Sequence, residues 1–175
     1  GDLSVSTVAR DLAATSLAPG SITAGGTARI VTDTLDDSTL TVEAPVVTGD
    51  FGVSRDLTLF LPLAQTRLDD LGWTDVGMGK VAALSTDLAL GDLDLQNLRI
   101  DARSITIDGR VEGVGMGDLD FRALGDITIA ATGAVSDART AAFSAGRPIL
   151  PDYPGLNPGA GLLMSDGAHV EAGTV

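Results

Sequence analysis

The sequence predicts an all-β chain, a right-handed parallel β-helix in which short strands stack in successive coils. Three observations predict it. A turn-then-strand phrase recurs along the chain, its strands return at intervals of about 20 residues, and the apolar material is aliphatic. A β-sandwich or an open β-groove is the alternative, because short strands at intervals of about 8–12 residues also suit a sandwich.

The phrase reads x-Asp-apolar-x-apolar, usually with Gly first. It occurs as Gly1-Asp2-Leu3-Ser4-Val5, Gly49-Asp50-Phe51-Gly52-Val53, Arg55-Asp56-Leu57-Thr58-Leu59 and Thr86-Asp87-Leu88-Ala89-Leu90. It returns as Gly91-Asp92-Leu93-Asp94-Leu95, Gly117-Asp118-Leu119-Asp120-Phe121 and Gly125-Asp126-Ile127-Thr128-Ile129. Glycine permits a positive φ and aspartate bonds nearby backbone, so the pair makes a turn. Apolar residues two apart then share one strand face, with Ser or Thr between them facing out. Strands this short do not pack alone, and stacking on copies of themselves buries them.

Two stretches break the rhythm. Residues 64–80 predict an irregular loop or a short helix, since Leu63, Leu68 and Leu71 lie near helical spacing and Gly72 is a candidate C-cap. Residues 146–161 hold four of the seven prolines, Pro148, Pro151, Pro154 and Pro158, which a central strand does not accommodate. The expected organisation is a β-solenoid repeat domain over 1–145. Residues 146–175 form a Pro/Gly-rich loop and a terminal strand at His169 to Ala172, within the same domain or as its cap. Arg10 to Leu17 reads as strand and turn. The opening Gly1-Asp2 reads as a fragment or a processed product.

Composition narrows the classes of function. Of 175 residues, 44% are hydrophobic and 3% aromatic, so the core is built from Leu, Val, Ile and Ala. That hydrophobicity excludes a disordered chain. The apolar runs are a few residues long, against about 18 or more for a membrane-spanning helix, so no transmembrane segment is expected. The net charge is −13, from 24 acidic and 11 basic residues, and Lys80 is the single lysine. Phosphate backbones need cations to neutralise them, so nucleic acid is not an expected partner. With no cysteine, disulfides, thiolate catalysis and cysteine metal sites are excluded.

Candidate chemistry lies in the carboxylates. Asp36-Asp37 and Asp69-Asp70 are adjacent pairs, while Asp92 with Asp94 and Asp118 with Asp120 would each share a strand face. Stacked coils could align Asp92, Asp94, Asp118 and Asp120 into a ladder for Ca²⁺, a cation that takes six to eight oxygens. The opposing reading is that these residues solvate turns and outer faces. No other metal or cofactor is expected. Paired carboxylates across a groove would also suit glycoside cleavage, yet the six aromatics are scattered and form no sugar platform. No catalytic residue is assigned. His169 is the only histidine, and no Gly-x-Ser-x-Gly elbow accompanies it. The glycine-rich runs Gly113 to Gly117 and Gly77-Met78-Gly79-Lys80 lack the strand and helix context of a phosphate cradle and read as corners. Trp73 and Tyr153, in or beside the irregular stretches, are candidate interaction-loop residues.

Residues 21–59 and 98–135 resemble the repetitive β-helical stalks of filamentous-haemagglutinin-like exoproteins of two-partner secretion systems. Gly167-Ala168-His169-Val170-Glu171-Ala172-Gly173 has the same character. The family's Asn-Pro-Asn-type secretion signature is missing, since Asn157-Pro158-Gly159 does not supply it, so the resemblance is to the stalk. Ile107-Asp108-Gly109-Arg110-Val111-Glu112-Gly113 resembles a rung of bactofilins, which are polymer-forming β-helical proteins. The acidic, leucine-alternating strands also resemble lipid-carrying β-grooves of the AsmA type.

The expected function is a non-enzymatic structural or adhesive module, displayed rigidly and self-associating or binding a host or cell-surface ligand. The resemblance implies an extracellular or bacterial cell-surface location. A lipid- or glycan-handling β-groove and a carbohydrate-active β-helix enzyme are the alternatives.

Overall fold

A computed structural model describes residues 3–7, 20–23, 25–32, 38–43, 46–51, 57–60, 66–68, 71–73, 79–146 and 159–175. Among these the chain is all-β, with no helix. The strands of the first half are β1 (Leu3–Thr7), β2 (Gly20–Thr23), β3 (Thr27–Thr32), β4 (Ser38–Glu43), β5 (Val46–Phe51) and β6 (Leu57–Phe60). Then come β7 (Thr66–Arg67), β8 (Leu71–Trp73), β9 (Gly79–Leu90), β10 (Leu93–Leu95), β11 (Leu98–Ile107) and β12 (Arg110–Gly113). The last are β13 (Asp118–Ala123), β14 (Ile127–Ile129), β15 (Ala134–Ala145), β16 (Leu162–Met164) and β17 (His169–Thr174).

Every pairing among the described strands is parallel. Parallel partners cannot be joined by a tight hairpin, and here most strands pair with one about 20 residues further on, while β14 with β16 and β15 with β17 pair across a longer interval. The antiparallel meander of a sandwich does not occur among the described residues.

The pairings fall into three ladders. The first runs β1, β3, β5, β7, the end of β9, the end of β11, β14 and β16. The second runs β2, β4, β6, the start of β9, the start of β11, β13 and the end of β15. The third contains β10, β12, the start of β15 and β17. β8 lies beside β10 and pairs with the end of β5. Long strands serve two ladders each, and their register breaks where they pass between them. The breaks fall between Ala102 and Ser104 in β11 and between Val135 and Ala138 in β15. At the second break Asp137 adopts φ 56°, a left-handed turn that an aspartate tolerates better than most residues.

Burial follows the period of two. β13 alternates half-buried and buried along Asp118–Ala123, and β14 does the same with Ile127 and Ile129 inside. The inward residues of all three ladders join one apolar cluster: Ile100 and Phe121 from the second, Ile107 and Ile129 from the first, Leu95 and Val111 from the third. It is aliphatic except where Phe121 stacks on Phe143, with ring centroids 5.2 Å apart and planes 16° apart. In the first ladder the register carries one apolar position through the whole sheet. Leu3 aligns with Ala28, and Ala28 with Val47. The neighbouring pairs bring Leu68 and then Leu90 into line, followed by Ile107, Ile129 and Met164.

The sheet is not closed. Among the described residues β1 and β2 at one end, and β16 and β17 at the other, each have a single partner strand.

The expectation of a loop or short helix over 64–80 is corrected. Thr66–Arg67 and Leu71–Trp73 are strands, and β9 begins at Gly79. The Leu68 backbone N–H donates to the Ala89 carbonyl at 3.0 Å, and the Leu68 side chain is fully buried. Its apolar spacing serves the neighbouring strand rather than a helix face, a tertiary override of a local pattern. Residues 61–65, 69–70 and 74–78 lie outside the described residues, as do 8–19 and most of the Pro-rich stretch, 147–158.

Close stacking leaves no room at two corners. A Cβ on Gly133 would sit 2.2 Å from the Ile107 carbonyl oxygen, and one on Gly109 would sit 2.4 Å from the Gly91 carbonyl carbon. Both obstacles are backbone, so a strand would have to shift. Gly133→Ala is therefore expected to destabilise by about 2–4 kcal/mol, against about 0.5 kcal/mol or less at an open surface site. Urea denaturation measures the difference, and an unchanged midpoint would contradict this packing.

Candidate functional site

The charged groups on the outside of the ladders are organised across strands. The aspartate of the turn phrase binds the next pass of the chain. Asp92 Oδ1 accepts the Arg110 backbone N–H at 2.8 Å, and Asp126 Oδ1 accepts that of Gly161 at 3.0 Å. Asn97 Oδ1 accepts the Asp118 N–H at 3.1 Å. A corner leaves backbone donors without a ladder partner, and these side chains satisfy them.

Arginines supply a second set of links. Arg103 Nε donates to Asp87 Oδ1 at 2.7 Å, and Ser104 Oγ donates to the same oxygen at 2.6 Å. Arg139 Nε donates to Asp118 at 2.9 Å. The Arg67 guanidinium grips both oxygens of Asp108, at 2.8 and 2.9 Å. These bonds hold three carboxyls below their usual range: Asp87 chiefly through Arg103 and then Ser104, Asp108 through Arg67, and Asp118 through Arg139. All three carboxylates remain partly exposed, so solvent screens each link and its worth is small.

The buried charge is Asp101, which is 1% exposed. Arg99 Nε donates to its Oδ1 at 2.9 Å. Lys80 Nζ lies 3.1 Å from Oδ2 as an ion-pair partner, although Oδ2 has no hydrogen bond of good geometry. Arg122 stands opposite Asp101 in register and donates to Asp120 at 2.8 Å. Its guanidinium pKa is raised, first by that bond and further by the charge of Asp101. Three cations and two carboxylates thus share the outer side of β9, β11 and β13. Position gave the sequence-level reading no reason to separate Asp101 from the other acidic residues. The available signal was Lys80, the single lysine, about one pass before it.

The four aspartates proposed for Ca²⁺ are not brought together. Asp92 and Asp94 flank or enter β10 in the third ladder, and Asp118 and Asp120 lie in β13 of the second. In register Asp94 meets Glu112, while Asp118 and Asp120 face Arg139 and Arg122. No group of three or more potential metal ligands occurs among the described residues. Trp73 lies in strand β8 rather than in a loop. Tyr153, Asp36-Asp37 and Asp69-Asp70 fall outside the described residues. His169 is exposed and 3.4 Å from Glu171.

Val114 and Met116 project from the turn between β12 and β13, 47% and 59% exposed. Met116 has φ 62°, beside Gly115 at 66°. This left-handed turn lies above Gln96 and Asn97 of the previous pass, and Asn97 is itself left-handed at φ 45°. The corner reading of the glycine run Gly113 to Gly117 therefore describes its geometry.

No protein-family model, curated protein or solved structure matches this chain.

Two outcomes follow from the charges. Asp101→Ala removes the shared counter-ion of Lys80 and Arg99 and is expected to cost about 2–4 kcal/mol in urea denaturation. Acid acts on the exposed links. The folded pKa values of Asp87, Asp108 and Asp118 lie below the unfolded value of about 3.9, so their stabilisation is complete above that pH. It is lost as the pH falls through the folded values. Thermal melting between pH 2 and 7 should drop below about pH 4, and Asp118→Asn should flatten part of that drop.

Proposed function

We propose that the chain is a segment of a parallel β-helix, right-handed as parallel crossovers are, acting as a structural or adhesive module. In this reading the three ladders are the sides of a coil, and each circuit of about 20 residues is one rung. One observation carries the reading: parallel pairings between successive stretches of chain feed three ladders into a single apolar core. The module works by geometry. Stacked rungs make a stiff support, its corners display short loops such as Val114 to Met116, and its unpaired end strands associate with further strands. The resemblance to exoprotein stalks favours an extracellular or bacterial cell-surface setting.

The first ladder contains eight strands. At about 4.8 Å per strand this makes a cylinder about 40 Å long. Small-angle scattering from the monomer should give that axial length with a uniform cross-section, and electron microscopy should show end-on assemblies. A flattened particle with a deep groove that co-purifies with acyl chains would favour lipid handling instead. Turnover of a glycan that depends on Asp92, Asp94, Asp118 or Asp120 would favour an enzyme.

A further inference from the structure

An aspartate followed by glycine is prone to one covalent rearrangement. Glycine has no side chain to hinder its nitrogen, so that nitrogen can attack the side-chain carboxyl carbon of the aspartate. The carboxyl reacts in its protonated form, because one of its oxygens leaves as water. An N–Cγ bond forms, a C–O bond breaks, and a cyclic imide (succinimide) closes. Water then adds back at either ring carbonyl and opens the ring to aspartate or to isoaspartate. No oxidant or reductant takes part. The chain has two such pairs, Asp108-Gly109 and Asp166-Gly167.

At 108–109 the backbone is held from both neighbouring passes. The Asp108 and Gly109 N–H groups donate to the Leu90 carbonyl at 3.0 and 3.3 Å. From the other side Thr132 Oγ1 donates to the Asp108 carbonyl at 2.7 Å, and the Gly109 carbonyl accepts the Ala134 N–H at 3.0 Å. The side chain is held from further away. Arg67 in β7 reaches across β9, which lies between β7 and β11, and its guanidinium takes both carboxylate oxygens. Turning the carboxyl toward the Gly109 nitrogen would break that grip. The same grip holds the carboxyl below its usual range, so it stays ionised and is a poor electrophile. Asp166-Gly167 has a different setting. Asp166 is exposed, Gly167 adopts φ 95°, and the Ala168 N–H closes the turn on the Ser165 carbonyl at 2.9 Å. Among the described residues no guanidinium pairs with Asp166.

We infer that Asp108-Gly109 is a latent modification site, closed to isoaspartate formation by the grip of Arg67. Arg67 is thus a positioning residue for a bond 41 residues away in the chain. The corner explains why protection falls to an arginine. A bulkier residue at 109 would block the attack, but a Cβ there would lie 2.4 Å from the Gly91 carbonyl carbon. Stacking therefore requires the reactive glycine. It also makes the product harmful, since isoaspartate adds one carbon to the backbone at a corner without spare room.

Incubation of the folded chain in water enriched in heavy oxygen, followed by peptide mapping with mass spectrometry, tests this inference. Each succinimide that opens leaves a heavy oxygen in its peptide, whichever product forms. Label at Asp108 should enter the folded wild type at least about tenfold more slowly than the same chain unfolded in urea. Arg67→Ala is expected to speed entry at Asp108 about two- to fivefold and to leave Asp166 unchanged. Arg67→Lys keeps the charge without the fork and should fall between; it carries the comparison if Arg67→Ala does not fold. The Gly109 amide should keep its protection from hydrogen exchange in both variants. Equal labelling of Asp108 in the wild type and the variants overturns the inference. So does a parallel rise at Asp108 and Asp166, or a rise that comes with loss of Gly109 protection, since either assigns the effect to loosened backbone.

Discussion

Parallel stacking in register is the constraint on which the rest of this protein depends. A strand of three residues such as Ile127–Ile129 buries two side chains and leaves its backbone groups on both edges unpaired. It becomes stable only between a preceding and a following strand, which supply hydrogen-bond partners and the floor and ceiling of the apolar column. Stability is thus a property of neighbouring passes, and no pass has a core of its own. The same constraint explains the aliphatic composition. A column such as Leu90, Ile107 and Ile129 repeats one position at the strand spacing, and branched aliphatic side chains fill that repeat without the lateral room that large rings need. Where rings do occur they stack directly, Phe121 on Phe143.

Stacking also decides what the aspartates do. A turn in an isolated hairpin satisfies its own backbone, but a turn in this sheet sits above another turn. Asp92 and Asp126 accept N–H groups from Arg110 in β12 and from Gly161 just before β16, and Asp87 and Asp118 hold arginines from the next pass. The acidic residues therefore act between passes. Asp87, Asp108 and Asp118 are thereby each committed to a guanidinium. Asp101 takes the same logic to a buried position on the outer face. Its neighbours Lys80 and Arg99 come from adjacent strands of one ladder, so a single buried charge ties two passes by its position in the register.

Much of this was legible in the sequence, for a physical reason. The Gly-Asp-apolar phrase encodes a turn and a two-residue period, both local, and the strands at Leu88, Ile105 and Ile127 appear in register where the phrase places them. Strand type and approximate interval follow from local chemistry. The partners of charged groups do not. Asp92-Leu-Asp94 and Asp118-Leu-Asp120 look equivalent as text, yet they lie on different ladders because the intervals between passes are unequal. The stretch 64–80 misleads in the opposite direction: Leu68 and Leu71 imitate helical spacing, while pairing with β5 and β9 makes Thr66–Arg67 and Leu71–Trp73 strands. Local pattern yields to tertiary pairing where the segment is short and the neighbouring edge is open.

Unequal intervals also locate the places where such a chain can vary. Between Ile129 and Leu162 the chain spans far more residues than between Ile107 and Ile129, yet the register is kept on both sides. The ladder fixes only the strands. Corners can tighten, as at Gly109 and Gly133, without moving the apolar columns. A corner is complete once its backbone groups find partners in a neighbouring pass. Leu162 and Met164 are core residues by register and surface residues by position.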